Sequence, residues 1–359
     1  NNKKTRINKT VAVALTPPSP TGKASLKPLR YWSSNNYTRV VIETSTPVKY
    51  RENLLKKTAN APRRLYIDLD NCQIAPELQA PIPINDGLLK RVRSGQHLPG
   101  ITRVVLDTVS LSDYKIFSLQ NPFRIVIDLK GQQEAEVQAA AAQPNQPNQL
   151  APLRARAKVA VNDSIEGSNR VPPSLAQQLG LGIKRIILDP GHGGKDSGAC
   201  GKNGLMEKDI VLKIAKQLSR KLKERLGVEV IMTRDRDVFI PLEERTAIAN
   251  SKEGDLFISI HVNAAPTKRA RGIETYILAQ ARSKNAMALA ARENSTTTSK
   301  MSDLQSILLD LIQNSKKSES IKLAEYVQDN MVSGLRPKYK IKNLGLKSAP
   351  FIVLIGTEM

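Results

Sequence analysis

Two histidines and one glutamate in the second half of the chain have the residue types and positions of metal ligands. His192 and His261 each follow an apolar, strand-like run, and Glu207 begins a predicted helix. Because the carboxyl ends of parallel strands lie at one edge of a sheet, the two imidazoles are expected to meet there. A carboxylate in the first turn of a helix faces the positive end of the helix. Two imidazoles and a carboxylate, with a fourth position left to water, form a catalytic zinc set, so the pattern predicts a hydrolytic zinc site.

Other interpretations of these residues stay open at this point. A lone histidine after a strand is more often a hydrogen-bonded loop residue than a ligand, and a glutamate at a helix start often only compensates the helix dipole. The glycines that flank His192 favour the metal site, since glycine allows tight turns and the close approach of a ligand. The third histidine, His97, lies in a loop and is interpreted as a surface residue.

The second half of the chain alternates strand-like and helix-like segments. Apolar residues recur every four positions from Ile210 to Leu222, and Gly227 follows as a helix stop, which predicts a helix. Short apolar runs predict strands, with a second helix between them. These elements are strands at 183–188, 228–232, 256–260 and 273–278 and a helix at 242–250. Strands separated by helices predict an α/β domain over 180–359 with a mostly parallel sheet flanked by helices.

An internal repeat in the first half of the chain predicts a different fold. Residues 38–44, TRVVIET, return at 102–108 as TRVVLDT, and residues 62–69, PRRLYIDL, return at 122–129 as PFRIVIDL. Such β-branched runs, bounded by turn residues, are typical of strands. A few strands cannot bury a sheet face alone, so the two copies are expected to pack on each other. We predict an internally repeated, all-β sandwich over 28–131.

Two segments of different composition flank the predicted sandwich. Residues 1–27 are rich in Lys, Thr, Ser and Pro and predict a flexible basic lead-in. Residues 132–175 combine a run of alanines with Pro, Gln and Asn, which is typical of a linker. The chain begins without Met, so the lack of a signal peptide carries no information.

A series of motifs in the predicted α/β domain resembles the zinc-dependent N-acetylmuramoyl-L-alanine amidases of the periplasmic type. The motifs are ILDPGHGGKDSGA at 187–199, GLMEKD at 204–209, TRD at 233–235, LEER at 242–245, AN at 249–250, SIHVNA at 259–264 and GIETY at 272–276. The doubled TRVV pattern resembles the AMIN-like targeting sandwich that precedes such amidases in diderm bacteria.

The resemblance implies a peptidoglycan hydrolase. Its zinc ligands match His192, Glu207 and His261, and the bond cleaved is the amide between N-acetylmuramic acid and the L-alanine of the stem peptide. It also implies that the sandwich binds the cell wall, that the protein lies in the periplasm or envelope, and that it acts where daughter cells separate.

The resemblance places a further glutamate, the general base, in a strand that would begin beyond Met359. The chain ends on an apolar, strand-like run and looks cut there. We therefore assign no catalytic base within the chain and expect it to hydrolyse little, because a general base commonly contributes about 10²–10⁴-fold. Glu358 precedes the expected position, and Glu274, on a strand next to the site, would have a structural role.

An insertion at about 281–319 is long for an ordinary connection. Two surface helices that pack on the sheet would account for it, the second beginning at Asp303 with apolar residues at helical spacing. These apolar residues are Leu304, Ile307, Leu308 and Leu311. The family resemblance implies instead a helical arm that covers the zinc until an activator protein displaces it. Glu293 is then the candidate carboxylate that occupies the open metal position.

The charge balance predicts an anionic partner without identifying it. The chain has 55 Lys and Arg against 33 Asp and Glu, a net charge of +22. A nucleic-acid-binding protein would fit this charge, but the chain has no motif for base recognition and only one Trp and five Phe for stacking. A peptidoglycan-binding protein that does not cleave its ligand is the main alternative to the hydrolase. No apolar run approaches the ~18–20 residues of a membrane span, so none is expected.

Overall fold

The computed structural model describes most of the chain as two compact units. The described residues are 22–34, 36–58, 62–120, 122–131, 182–264, 271–298, 301 and 317–359. The first unit takes the described residues up to Gly131, the segment Pro241–Lys252 and the described residues from 271 onward. The second unit takes residues 182–240 and the segment Glu253–Ala264. The predicted linker at 132–175 lies outside the described residues.

The first unit begins with two antiparallel sheets. Their strands, in chain order, are β1 (Ala24–Ser25), β2 (Arg30–Ser34), β3 (Tyr37–Thr44), β4 (Tyr50–Leu55), β5 (Arg64–Asp70), β6 (Cys72–Gln73), β7 (Ile82–Pro83), β8 (Leu89–Leu98), β9 (Ile101–Thr108), β10 (Leu111–Leu119) and β11 (Phe123–Gly131). One sheet has the order β10-β11-β3-β2 and the other β4-β5-β9-β8-β7, while β1 and β6 form a short parallel pair. A short 3₁₀ turn spans Pro76–Leu78. The predicted all-β sandwich is confirmed.

The two copies of the repeat form this sandwich by exchanging strands. Strand β3 of the first copy pairs with β11 of the second, with Val41 opposite Val126. Strand β5 of the first copy pairs with β9 of the second, with Ile67 opposite Val104. In each sheet, a strand of one copy is therefore paired directly with a strand of the other copy. The copies intertwine rather than packing as two separate halves.

Two arginine–aspartate ion pairs also link the two copies. Arg39 of the first copy donates from Nε and Nη2 to the two carboxylate oxygens of Asp128 in the second, both at 2.6 Å. Arg103 of the second copy pairs in the same way with Asp68 of the first, at 2.6 and 2.8 Å. The side chains of Arg39 and Asp128 are 1% and 2% exposed, whereas those of Arg103 and Asp68 are 26% and 11% exposed. Equivalent pairs thus lie on both sheets, one fully buried and one partly exposed.

The remaining elements form the predicted α/β part. They are β12 (Arg185–Pro190), α1 (Glu207–Leu226), β13 (Glu229–Met232), α2 (Leu242–Ser251), β14 (Leu256–Ile260), β15 (Ile273–Leu278), α3 (Lys284–Glu293), α4 (Lys317–Leu335), β16 (Asn343–Ala349) and α5 (Ile352–Ile355), with a 3₁₀ turn at Lys202–Gly204. The second unit holds a parallel sheet of order β13-β12-β14, and the first unit holds the parallel pair β15-β16. The predicted α/β class is confirmed, with two parallel sheets among the described residues of this part.

Within the first unit, the outer face of the four-stranded sheet packs against helices α3 and α5 and strand β16. The buried apolar residues of this contact are Val41, Phe117, Leu119, Val126, Ala286, Ala290, Ala291, Met301, Ala349, Ile352 and Ile355. Helix α3 is capped by Ser283, whose hydroxyl accepts a hydrogen bond from the amide of Ala286 at 3.1 Å. The buried alanine face of α3 explains why the start of the predicted insertion folds as a packed helix.

The second helix predicted for the insertion falls on Asp303, Leu304, Ile307, Leu308 and Leu311, which lie outside the described residues. Among the helices that the structure describes, none is both long enough and apolar enough to cross a lipid bilayer.

Candidate metal centre

The register of the parallel sheet in the second unit brings two histidine-bearing loops together. Strand β12 lies between β13 and β14, and Pro190 of β12 is opposite Ile260 of β14. The amide of Gly191 donates to the carbonyl of Ile260 at 3.0 Å, so both strands end at the same level. His192 and His261 follow within two residues of these strand ends, and their ring centroids are 4.8 Å apart.

Glu207 extends its carboxylate between the two imidazoles. It is the first residue of α1 and is 3% exposed. Its Oε1 lies 3.3 Å from Nε2 of His192 and 3.2 Å from Nδ1 of His261. The backbone amide of Val262 donates to Oε1 at 2.7 Å, and that of Ala199 donates to Oε2 at 2.9 Å. Burial raises the pKa of Glu207, but the hydrogen bonds from the two imidazoles and the two amides outweigh it and hold this pKa well below the usual range.

His192 is oriented by a second carboxylate. Its Nδ1 lies 2.9 Å from Oδ2 of Asp196, an arrangement that holds the Nδ1 proton and turns Nε2 towards Glu207. Burial lowers the pKa of His192, but hydrogen bonds to Glu207 and Asp196 outweigh it and raise the pKa to about 9. Metal binding at this imidazole would therefore compete with a proton.

Glycines let the imidazoles pack directly on the backbone. A Cβ atom at Gly198 would lie 2.6 Å from Cδ2 of His192, and one at Gly191 would lie 2.5 Å from Nε2 of His261. His192 itself has φ +59°, a left-handed conformation that is uncommon outside glycine. These glycines therefore make room for the imidazole rings of the protein itself.

The distances from the carboxylate of Glu207 to the two imidazoles match those between neighbouring ligands of a zinc ion. In a tetrahedral site with bonds of about 2.0–2.1 Å, neighbouring ligand atoms are about 3.3–3.4 Å apart. Oε1 of Glu207 is 3.3 and 3.2 Å from the facing nitrogens of His192 and His261. The mixed nitrogen and oxygen donors are also those that zinc accepts. The residues present therefore fit the ion that the sequence analysis expected.

Three other residues singled out from the sequence belong to the first unit. Glu293 is the last residue of α3, is half-buried and belongs to the first unit. Glu274 lies on β15 and forms an ion pair with Lys347 of β16, in line with a structural role. His97 is exposed at the end of β8.

The fold and the donor set define an α/β region with a candidate metal centre. The model of the N-acetylmuramoyl-L-alanine amidase family matches residues 186–359, and that of the AMIN domain matches residues 29–115. The amidase AmiC of Neisseria meningitidis serogroup B is 32% identical over 325 residues, which cover 84% of this chain and 73% of that relative. The chain belongs to the N-acetylmuramoyl-L-alanine amidase family, and its activity is that of an amidase acting on peptidoglycan.

Two further proteins are similar to this chain. AmiC of Escherichia coli O6:H1 is 31% identical over 321 residues, again 84% of this chain and 73% of the relative. Among solved structures, the amidase AmiC2 of Nostoc punctiforme is 30% identical over half of this chain and 76% of its own, with a TM-score of 0.34.

Several residues that support the site were given no role by sequence reasoning. Asp196 follows His192 by four positions, and Arg234 follows strand β13 within a quoted motif. The buried carboxylate of Asp189 accepts hydrogen bonds from Thr233 at 2.6 Å and Ser259 at 2.9 Å, which joins the ends of all three strands. A polar residue at the end of a buried strand is the signal that could have identified Asp189, Thr233 and Ser259.

Proposed function

We propose that the chain is a zinc amidase whose metal is held by His192, Glu207 and His261. The observation that carries the proposal is the convergence of three donor atoms, with Oε1 of Glu207 at 3.3 and 3.2 Å from the two facing imidazole nitrogens. The bond cleaved is the amide between N-acetylmuramic acid and L-alanine of the stem peptide.

The residues of the chain have separate tasks in this proposal. Zinc, when bound, supplies a Lewis acid for the scissile carbonyl and acidifies a water molecule. Asp196 holds the proton of His192 on Nδ1 and so keeps the Nε2 lone pair available. The amides of Ala199 and Val262 keep the carboxylate of Glu207 ionised and fixed. No residue of the chain is assigned the role of general base, and the low turnover expected of a polypeptide of these 359 residues is part of the proposal.

The repeated sandwich is proposed to bind peptidoglycan and to hold the enzyme in the periplasm where daughter cells separate. What supports this is the AMIN match together with the excess of cationic residues, since a basic surface attracts anionic envelope polymers.

The proposed reaction is tested on purified sacculi. The full-length gene product and the 359-residue polypeptide are each incubated with sacculi, and the soluble products are analysed by mass spectrometry. From the full-length gene product we expect peptides with a free amino-terminal L-alanine, loss of these products on chelation, and their return with zinc. The 359-residue polypeptide should release far fewer of these peptides. A protein that binds sacculi but releases no such peptides would instead be the non-catalytic binding protein.

We further propose that α3 and the segment after it form an arm that restrains the enzyme until an activator protein displaces it, with Glu293 as the arm carboxylate. This part rests on the family resemblance. Release of the arm would have to break the anchor beside Glu293, because buried Asn294 donates to the carbonyl of Pro350 at 2.8 Å and accepts from the amide of Ile352 at 2.8 Å.

The Glu293→Gln variant of the full-length gene product is expected to release peptides several-fold faster than the parent protein without an activator. The substitution removes the charge that would compete for the metal and keeps the packed alanine face of α3. Glu325→Gln, an exposed carboxylate on α4, is the matched control and should not change the rate. The arm proposal is wrong if Glu293→Gln and a deletion of residues 284–316 both leave the rate unchanged.

A further inference from the structure

Arg234 is buried directly beneath the candidate metal centre. It lies two residues after the end of β13 and is 3% exposed. Its Nε donates to the carbonyl of Pro190 at 2.9 Å, and its Nη2 donates to the carbonyl of Gly191 at 2.7 Å. The same Nη2 donates to the carbonyl of Lys208 at 2.9 Å. One guanidinium therefore joins two segments that are far apart in sequence.

The carbonyl groups that Arg234 binds flank the proposed ligands. Gly191 immediately precedes His192, and Lys208 immediately follows Glu207. The guanidinium is a rigid, planar group with donors in a fixed fork. It therefore sets the separation of the two ligand-bearing segments before any metal binds.

The glycines after His192 make room for this contact. A Cβ atom at Gly193 would lie 3.0 Å from Nε of Arg234, and one at Gly194 would lie 2.6 Å from the amide nitrogen of Phe239. Gly193 has φ +128°, a conformation that residues with a side chain rarely adopt. The Gly-Gly pair thus packs against the loop that carries Arg234.

We propose that Arg234 is a positioning residue that preorganises the metal centre by fixing His192 relative to Glu207. The inference rests on the proposed zinc site. The positive charge of Arg234 does not itself favour metal binding, because a cation near the centre repels a divalent metal ion. Loss of the fork therefore weakens zinc binding through geometry.

The test compares Arg234→Lys, which keeps the charge but loses the fork, with Arg236→Lys as a control on an exposed neighbouring arginine. Zinc affinity is measured by competition with a chromophoric chelator, and unfolding is followed with and without zinc. We expect Arg234→Lys to lower the affinity by about 10–100-fold, the range for residues that orient metal ligands, and to shrink the zinc-induced stabilisation. Arg236→Lys should match the parent chain in both measurements.

The outcomes separate this inference from the proposed function. If the parent chain fails to bind zinc, the zinc site itself is wrong. If the parent binds zinc and Arg234→Lys binds it within about threefold, only the positioning role is wrong. If Arg234→Lys is unfolded both with and without zinc, or is destabilised equally in the two states, Arg234 supports the unit as a whole and the inference is overturned.

Discussion

Glu207→Gln is expected to lower the zinc affinity of the chain by more than about 10³-fold, since even residues that only orient ligands cost about 10–100-fold. The neutral amide keeps the size of the side chain but loses the charge and one of the two carboxylate oxygens. Both oxygens are in use, because Oε1 faces the two imidazoles and Oε2 accepts from Ala199. The measurements are zinc content after dialysis and competition with a chromophoric chelator.

Glu274→Gln is the matched control for this substitution. Glu274 is also a carboxylate within a family-like motif, but it lies on strand β15 and its partner is Lys347. Its substitution should leave the zinc content at that of the parent chain. A Glu207→Gln chain that retains one equivalent of zinc, or a Glu274→Gln chain that loses it, would contradict the proposed ligand set.

The fold class could be predicted from the sequence because each half of the chain has a consistent local pattern. The β-branched repeat indicates strands, and apolar residues at helical spacing indicate α1. The exchange of strands between copies could not be predicted in this way. Pairing within a copy and pairing between copies bury the same faces, so local patterns do not distinguish them. The actual pairing brings together residues that are far apart in the sequence, such as Val41 and Val126.

The convergence of the candidate site was predictable where a ligand follows a strand end, as His192 and His261 do. The exact limits of the strands were harder to predict. The strand predicted at 183–188 is Arg185–Pro190, because its last residues pair with Ser259 and Ile260 of a neighbouring strand.

The role of Arg234 was not predictable for a different reason. Its partners are backbone carbonyl groups, which every residue carries, so the sequence contains no complementary signal. A role for Glu293 depends on the family resemblance, since a glutamate at the end of a surface helix has no distinctive pattern.

Arg39→Ala is expected to destabilise the first unit by about 3–5 kcal/mol, the cost of breaking a buried ion pair. The substitution leaves Asp128, which is 2% exposed, without its bidentate partner. It also removes the hydrogen bonds that Arg39 donates to the carbonyls of Glu243 at 3.1 Å and Gly356 at 3.0 Å. Urea unfolding followed by the fluorescence of Trp32, the only tryptophan, measures the change. Trp32 lies opposite Arg39 on the neighbouring strand and therefore reports on this sheet.

Arg103→Ala is the control that the internal repeat provides. Arg103 makes the equivalent bidentate contact with Asp68, but water reaches both side chains, and the guanidinium lies 4.0 Å from the ring centroid of Tyr66. A partly exposed ion pair with a cation–π contact contributes below about 1.5 kcal/mol, so this substitution should cost much less than Arg39→Ala. Equal losses for the two variants would show that the stability resides in the arginine–aspartate pair itself. A larger loss for Arg39→Ala would attribute the difference to its burial and its contacts with the segments that carry Glu243 and Gly356.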